Sequence, residues 1–317
     1  MKLKLNGLIA APFTAMNADG SLNLPMIEQQ AKLLIENNVQ GAFICGTTGE
    51  GMSLSMEERL QAAEQWMAAA KSLRIIVHVG HHTVAESRTL AAHAERIGAH
   101  AFATVGPTFF RASNVEQLVN YCAQVAAGAP NLPFYYYHIP VMAGADLPMH
   151  DFLKLAGPRI PNLAGIKFTH ENLMDYSRCL HLEDGRYNIL FGRDEILLAA
   201  LAMGAPGAVG STYNYMAPVY HRVMEAFAAG DMEAARGFQT LAINIIAVMS
   251  RRGGLAAGKA MMKMIGHDCG PVRAPLQNLS PEALESLTRE LKAAGFPLAP
   301  GVSAARGGKS FAGTASA

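Results

Sequence analysis

The sequence has few of the features that mark disulfide-rich or cysteine-ligated proteins. Its 317 residues contain four cysteines, Cys45, Cys122, Cys179 and Cys269, which are far apart and form no CxxC pair. Cysteines spaced in this way favour buried free thiols in a reducing compartment over a disulfide framework. We therefore expect a cytoplasmic protein.

An excess of charge of one sign is also missing, because 26 Lys and Arg are balanced by 25 Asp and Glu to give a net charge of +1. This balance provides no basic surface for nucleic acid and no charged tail for a charged partner. No apolar run is long enough to span a membrane. The first seven residues are too short and too broken for a signal peptide. We expect a soluble protein that binds a small-molecule substrate, with no nucleic-acid or membrane partner.

What the sequence does contain is a regular alternation of short apolar runs and helical segments. A capping box at Ser55 and Glu58, for example, opens one of the helices. Nearly continuous apolar runs are typical of parallel strands covered by helices. The alternation predicts a (β/α)8 TIM barrel, with a doubly wound open sheet as the alternative. The eight predicted strands are Gly7–Phe13, Gly41–Cys45, Arg74–Val79, Ala101–Val105, Phe134–Ile139, Gly165–Thr169, Asn188–Phe191 and Ala208–Ser211.

About a hundred residues follow the eighth predicted strand, which is more than a barrel needs for its last helix. We predict that residues 1–215 hold the barrel strands and most helices. Residues 216–297 would form the last barrel helix and a C-terminal helical extension of the same domain. Residues 298–317 are rich in Gly, Ala and Ser, a composition that predicts a disordered tail.

Lys167 is the most informative single residue. It lies in the apolar run from Leu163 to Thr169, which contains no carboxylate to pair with the ammonium. Burying a lysine costs free energy unless it is paired or loses its proton. A neutral amine in a dry pocket is the form that attacks a ketone. The alternative is a structural lysine at a strand end that extends its amine to water.

Other polar side chains follow strands at the same predicted rim, where a parallel barrel has its active site. The turn containing Thr47 and Thr48 could hold a carboxylate with its hydroxyls and backbone N–H groups, or could be an ordinary turn. Strand alternation places Tyr135 and Tyr137 on one face and Tyr136 on the other. Tyr137 could transfer protons if a nearby cation or hydrogen-bond donor lowered its pKa, although adjacent aromatics commonly serve packing.

The last two strands end in residues that suit a polyol. Asp194 and Glu195 could bind sugar hydroxyls, bind a metal, or cap the next helix. The small residues around Gly210 and Ser211 would permit close backbone approach to a ligand. Together with Lys167, these residues predict one site at the barrel rim.

A metal site is an alternative interpretation of this rim. His78, His81 and His82 form a histidine-rich stretch after the third strand and could act with Asp194 in a metal-dependent aldolase or hydrolase. No cysteine accompanies them, and the one nearby carboxylate, Glu86, fits the first turn of the next helix.

The motifs as a set resemble those of the dihydrodipicolinate synthase / N-acetylneuraminate lyase superfamily of class I aldolases, over residues 5–297. The N-acetylneuraminate lyase branch is the most similar, and within it the animal-type members. The segments that carry the resemblance are Gly46-Thr47-Thr48-Gly49-Glu50, Phe134–Pro140 with Tyr137-x-x-Pro140, Gly165-Ile166-Lys167, Phe191-Gly192-x-Asp194-Glu195 and Gly207–Tyr215.

The resemblance implies a homotetrameric barrel that cleaves N-acetylneuraminate reversibly to N-acetylmannosamine and pyruvate. Lys167 would form a Schiff base with the C2 ketone of the open-chain sugar, so that the covalent imine replaces any cofactor or metal. Tyr137 would take the proton from the C4 hydroxyl. The implied substrate-binding residues are Thr47 and Thr48 for the carboxylate, Thr169 beside Tyr137, and Gly192, Asp194, Glu195, Gly210 and Ser211 for the sugar chain.

Two positions depart from relatives within the superfamily. Dihydrodipicolinate synthases commonly have a carboxylate-binding arginine where this chain has Met142, which favours the lyase. Many relatives have a tyrosine in the loop after strand four, where this chain has Phe109 and Phe110, and we expect Phe110 to serve packing. Two further alternatives are another pyruvate-dependent aldolase for a different 2-keto sugar acid and a non-catalytic sugar-acid-binding barrel.

Overall fold

The chain folds into a closed barrel of eight parallel strands in sequential order. The structure is a computed structural model that describes residues 3–297. The predicted (β/α)8 barrel is confirmed, and the open doubly wound sheet is excluded because β1 pairs with β8. The strands are β1 (Gly7–Ala10), β2 (Gly41–Ile44), β3 (Arg74–His78), β4 (Ala101–Val105), β5 (Phe134–His138), β6 (Leu163–Phe168), β7 (Asn188–Phe191) and β8 (Gly207–Gly210).

Helices cover the outside of the barrel and one of its ends. Several begin at capping side chains, and the predicted capping box of Ser55 and Glu58 is present in full. The helices are α1 (Pro25–Glu36), α2 (Met56–Ala69), α3 (Val84–Arg96), α4 (Val115–Ala126), α5 (Pro140–Ala143), α6 (Met149–Ala156), α7 (Leu173–His181), α8 (Leu197–Ala202), α9 (Tyr213–Ala228), α10 (Met232–Arg251), α11 (Leu255–Met264) and α12 (Pro281–Ala293).

Several strands differ from their predicted bounds by one to three residues. The first ends at Ala10 rather than Phe13, and the sixth begins at Leu163 rather than Gly165. Phe13 is buried outside the strand because it stacks on Tyr215, with ring centroids 6.4 Å apart. An apolar run therefore predicts too long a strand when the loop that follows the strand is itself buried under a helix.

Strand β5 shows how the barrel sorts its side chains. Tyr135 and Tyr137 belong to the cluster of buried residues inside the barrel. Tyr136 belongs to the larger cluster between the barrel and its helices. The predicted alternation of these tyrosines is therefore confirmed, and it places the Tyr137 phenol toward the barrel interior.

The C-terminal extension packs on the barrel through α10. This helix lies against α9 and directs Ile246 and Met249 toward the barrel mouth. Helix α9 begins at Tyr213, so the predicted division at residue 215 falls inside its first turn. The predicted disordered tail, residues 298–317, lies outside the described residues.

Two further sequence expectations can be compared with residues 3–297. The four cysteines are free and buried, as predicted. In this part of the chain, none of the helices is both long and apolar enough to cross a lipid bilayer. The expectation that Phe110 serves packing is wrong within this chain, because its side chain is 86% exposed. Its ring contacts mainly that of Phe109, which is also exposed.

Candidate active site

A cavity of about 840 Å³, including its open mouth, lies at the carboxyl ends of the strands. The structure brings nine of the ten predicted site residues to its wall. Gly210 is the exception, since it lies at the end of β8 without lining the cavity. The nine residues are Thr47, Thr48, Tyr137, Lys167, Thr169, Gly192, Asp194, Glu195 and Ser211.

Lys167 is at the bottom of this cavity. It comes from β6, is 5% exposed, and its Nζ lies 4.0 Å from the ring centroids of both Phe43 and Tyr137. Burial among these rings lowers the pKa of Lys167 to about 7, and the nearby charge of Asp194 opposes the shift. Near neutral pH about half of the lysine is therefore an unprotonated amine, compared with about one part in a thousand for an exposed lysine.

Asp194, which follows β7, provides the carboxylate that the lysine strand lacks. Its Oδ2 accepts hydrogen bonds from the Thr212 backbone N–H at 3.0 Å and the Thr212 hydroxyl at 2.6 Å. Burial raises the pKa of Asp194 to about 6, an increase that the bonds from Thr212 limit. Its Oδ1 is buried against Gly210 without a hydrogen-bond partner among the described residues.

Gly210 makes room for that carboxylate. A Cβ atom at this position would lie 1.8 Å from Oδ1 of Asp194. A glycine is therefore required at the end of β8 because the Asp194 carboxylate packs directly against it.

Tyr137 does not meet the condition that we expected for proton transfer. Burial raises the pKa of its phenol to about 12, and the Thr47 and Thr169 hydroxyls reduce that shift only in part. The phenol is therefore protonated in the free site. Its oxygen lies 3.4 Å from Oγ1 of Thr47, which links it to the hydroxyl-rich turn after β2.

Two interactions hold the turn that carries Thr47 and Thr48. The Thr14 hydroxyl donates to the Gly49 carbonyl at 2.6 Å. Glu50 ends the turn in a left-handed conformation and forms a buried ion pair, 2.7 Å long, with Lys259 of α11. The C-terminal extension therefore holds the loop after β2 that lines the cavity.

Thr169 and Gly192 lie against each other at the ends of β6 and β7. A Cβ atom at position 192 would lie 2.0 Å from Oγ1 of Thr169. That hydroxyl is buried without a hydrogen-bond partner in residues 3–297. The absence of a side chain at Gly192 thus leaves space for the Thr169 hydroxyl at the cavity wall.

Glu195 and Asp194 are positioned by a residue that the sequence did not indicate. The side-chain amide of Gln239, in α10, donates to the carbonyls of Asp194 at 3.1 Å and Glu195 at 3.0 Å. Arg193 also lines the cavity and forms ion pairs with Glu171 and, at 3.9 Å, with Glu195.

Sequence reasoning missed the side of the cavity that the C-terminal extension forms. Ile246 and Met249 of α10 and Gly254 and Leu255 near α11 line it. These residues belong to ordinary helical sequence, and no local signal distinguishes them from core positions.

The alternative metal site is not assembled. His78 lies inside the barrel wall, where its Nδ1 donates to the Cys45 carbonyl at 3.1 Å and its Nε2 accepts from the Val105 N–H at 3.3 Å. His81 contacts Glu86 at 2.6 Å. Within residues 3–297, these histidines and Asp194 do not form a group with metal-ligand spacing. The metal-dependent alternative therefore lacks its ligand set.

A closed barrel with a buried amine and polar strand ends around one cavity defines an enzyme of the (β/α)8 class. The sequence profile of the dihydrodipicolinate synthetase family matches residues 4–294. This chain belongs to that family, as its motifs predicted.

Individual relatives agree with the match. The N-acetylneuraminate lyase of Mus musculus is 40% identical over 307 residues, which cover 95% of this chain and 96% of the relative. The solved structure of Proteus mirabilis N-acetylneuraminate lyase is 46% identical with a TM-score of 0.91, covering 93% of this chain and 100% of that one. A structure described as a Ruminococcus gnavus sialic acid aldolase catalytic lysine mutant is 28% identical, with a TM-score of 0.86 and coverage of 93% and 98%.

Animal and bacterial N-acetylneuraminate lyases thus both match nearly the whole chain. The resemblance to N-acetylneuraminate lyases is confirmed, and the greater similarity to animal-type members stays a prediction.

Proposed function

We propose that this protein is a class I aldolase that cleaves N-acetylneuraminate reversibly to N-acetylmannosamine and pyruvate. The observation that carries the proposal is the buried, partly neutral amine of Lys167 on the wall of a polyol-sized cavity. The names of the relatives in mouse and Proteus mirabilis support the choice of substrate.

The reaction begins with the attack of the neutral Lys167 amine on the C2 ketone of the open-chain sugar. Loss of water gives a protonated imine, which withdraws electrons from the C3–C4 bond and makes a cofactor unnecessary. Thr47 and Thr48, which line the cavity beside Tyr137, hold the carboxylate next to the ketone. The same contacts orient C2 toward the amine.

Cleavage of the C3–C4 bond requires a base for the proton of the C4 hydroxyl, and Tyr137 takes this role. In the free site its pKa is about 12, so the phenol must lose its proton after substrate binds. The positive imine forms on the amine that lies 4.0 Å from the Tyr137 ring, and a cation at this distance lowers a phenol pKa. The Thr47 hydroxyl, 3.4 Å from the phenol oxygen, passes the phenol proton to the substrate carboxylate that it holds. The resulting phenolate takes the C4 hydroxyl proton as the C3–C4 bond breaks and N-acetylmannosamine forms. The enamine that remains is protonated at C3, and water then hydrolyses the imine to release pyruvate and the Lys167 amine.

The sugar chain occupies the other half of the cavity. Its hydroxyls are bound by polar residues that line the cavity, namely Thr169, Gly192, Asp194, Glu195 and Ser211. Met142 is half exposed and does not line the cavity, so α5 contributes no cation for a second carboxylate. This agrees with a polyol rather than a second acidic group at that end of the substrate.

The test combines trapping with substrate comparison. Incubation with pyruvate and borohydride is expected to attach one carboxyethyl group to the peptide that contains Lys167, and Lys167→Ala is expected to prevent labelling. Pyruvate release should be faster from N-acetylneuraminate than from shorter 2-keto-3-deoxy acids. The reverse preference would favour another pyruvate-dependent aldolase, and absence of labelling with intact folding would favour a sugar-acid-binding barrel.

Assembly and location complete the proposal. A homotetramer in the cytoplasm follows from the family resemblance and is supported by two features. Phe109 and Phe110 expose an apolar surface suited to contact with another subunit, and the four thiols are free. Sedimentation equilibrium of the wild type and of a Phe109→Ser, Phe110→Ser variant tests the assembly, and an unchanged monomer in both would contradict it.

A further inference from the structure

A second cluster of ligand-type side chains lies behind the strands that carry Tyr137 and Lys167. His138 ends β5, His170 follows the end of β6 by two residues, and Asp146 lies between α5 and α6. One donor atom from each of the three lies within 4.8 Å of the others. Among residues 3–297, no other group of three or more His, Cys, Asp and Glu residues has this spacing.

His138 points away from the active-site cavity. It follows Tyr137 in β5, so strand alternation places its ring on the outer face with Tyr136. Its ring centroid lies 5.0 Å from that of Phe168 and 5.5 Å from that of His170. The ring is thus held in one orientation by its neighbours and is separated from the substrate by the barrel wall.

The strongest indication of a ligand is an unsatisfied nitrogen. His138 is 1% exposed, and its buried Nδ1 has no hydrogen-bond partner in the described part of the chain. A buried polar atom without a partner costs free energy and calls for a ligand or a water. His78 provides the comparison, since it is equally inaccessible and uses both ring nitrogens in hydrogen bonds.

Two imidazoles and one carboxylate are a donor set that suits zinc and neighbouring divalent transition metals. The His170 Nδ1 and the Asp146 Oδ1 are 3.9 Å apart, close to the separation of about 3.4 Å between two ligands of one tetrahedral ion with bonds of about 2.1 Å. Asp146 is on an exposed connection, so a small shift of its side chain closes the set.

We propose that His138, Asp146 and His170 bind one divalent transition metal ion, preferentially zinc, on the outer side of the barrel. The ion joins the ends of β5 and β6, which carry Tyr137 and Lys167, and thereby stabilises the folded barrel. A water molecule fills the fourth position. The ion is separate from the aldol chemistry, so this inference stands whether or not the proposed reaction is correct.

The experiment uses the full chain without an affinity tag, stripped of metal with a chelator. Calorimetric titration with zinc chloride is expected to show one site, and cobalt(II) should give the visible absorption of a four-coordinate ion. At a free zinc concentration of about 100 times Kd, the Tm should rise by about 4 °C. The variants His170→Gln and Asp146→Asn should lose the site while keeping the fold, which avoids relying on a change at buried His138.

The matched control is the partly exposed pair of His81 and Glu86, which are 2.6 Å apart. The double variant His81→Gln, Glu86→Gln should bind zinc as the wild type does. Absence of stoichiometric binding to the wild type would overturn the proposal. Binding that persists in His170→Gln and Asp146→Asn, or that disappears in the control variant, would also overturn it. Borohydride trapping of pyruvate in metal-free protein, measured in parallel, reports on Lys167 independently.

Discussion

Two lysines of this barrel are buried to nearly the same extent but in different surroundings. Lys259, in α11, is 3% exposed and lies 2.7 Å from the Glu50 carboxylate and 2.6 Å from the Pro271 carbonyl. Lys167, in β6, is 5% exposed, and its amine faces the rings of Phe43 and Tyr137. The Lys259 amine therefore has hydrogen-bond acceptors close to it, whereas the Lys167 amine is surrounded by aromatic rings.

The difference separates a structural lysine from a reactive one. Burial raises the free energy of an ammonium in both places, and close acceptors compensate for it at Lys259. At Lys167 the compensation is incomplete, because the charge of Asp194 only opposes the larger effect of burial. The chain therefore places its poorly compensated amine where a neutral nucleophile is useful.

The largest expected effect comes from removing the Lys167 amine. Lys167→Met should reduce kcat for pyruvate release by at least about 10⁴-fold, because no other group can form the imine. Steady-state assays on N-acetylneuraminate measure the loss. Lys259→Met is the matched control, with an expected reduction far smaller than that. Similar losses in the two variants would remove the functional distinction between the two lysines.

The next effect concerns the aromatic side of the Lys167 environment. Tyr137→Phe keeps the ring beside the amine and removes the phenol oxygen that contacts Thr47. We expect kcat to fall by about 10²- to 10⁴-fold, the usual contribution of a proton-transfer group. Borohydride trapping with pyruvate should remain at wild-type extent, since imine formation does not need the C4 proton. Loss of trapping together with turnover would assign Tyr137 to imine formation instead.

The ion pair at Lys259 should affect stability more than catalysis. Lys259→Met leaves the Glu50 carboxylate buried and unpaired, which should lower the free energy of unfolding by about 3–5 kcal/mol. Urea denaturation followed by circular dichroism measures this change. Adding Glu50→Gln to the same variant should recover part of the loss, because the charge is gone and the side-chain oxygen can still accept from the Arg273 N–H. A double variant no more stable than Lys259→Met would contradict the ion-pair explanation.

The barrel and the membership of one cavity could be predicted because both follow from local sequence. Each apolar run marks a strand, and a parallel barrel collects the residues after its strands at one rim. Lys167, Tyr137 and Asp194 were found in this way. The resemblance to a family added the roles, which spacing alone left open.

Contacts made from distant parts of the chain could not be predicted. Gln239 holds the Asp194 turn from 45 residues away, and Ile246 and Met249 are ordinary residues of a helix until α10 packs over the barrel mouth. The raised pKa of Tyr137 likewise depends on how completely neighbouring elements bury its phenol. From the sequence one can say that proton transfer by Tyr137 requires a lowered phenol pKa. Whether the free site lowers that pKa depends on the packing of the folded chain.

The smallest expected effect is the pH dependence of stability that Lys167 contributes. In the folded protein the pKa of Lys167 falls from 10.5 to about 7, so between these values the unfolded chain binds more protons and stability rises with pH. Below pH 7 Lys167 stays protonated in the folded protein, so the full free-energy cost of burying its ammonium lowers the stability. Lys167→Met should therefore be about 2 kcal/mol more stable than the wild type at pH 6. This gain is less than the roughly 5 kcal/mol that corresponds to the whole pKa shift, because the methionine fits the site imperfectly.

The gain in stability of Lys167→Met should shrink as the pH approaches 10. Lys259→Met, in contrast, should be less stable than the wild type at both pH 6 and pH 9.5. Urea unfolding of the three proteins at pH 6 and pH 9.5 measures this, and a Lys167→Met variant with no gain at pH 6 would mean that the amine is not destabilised by burial.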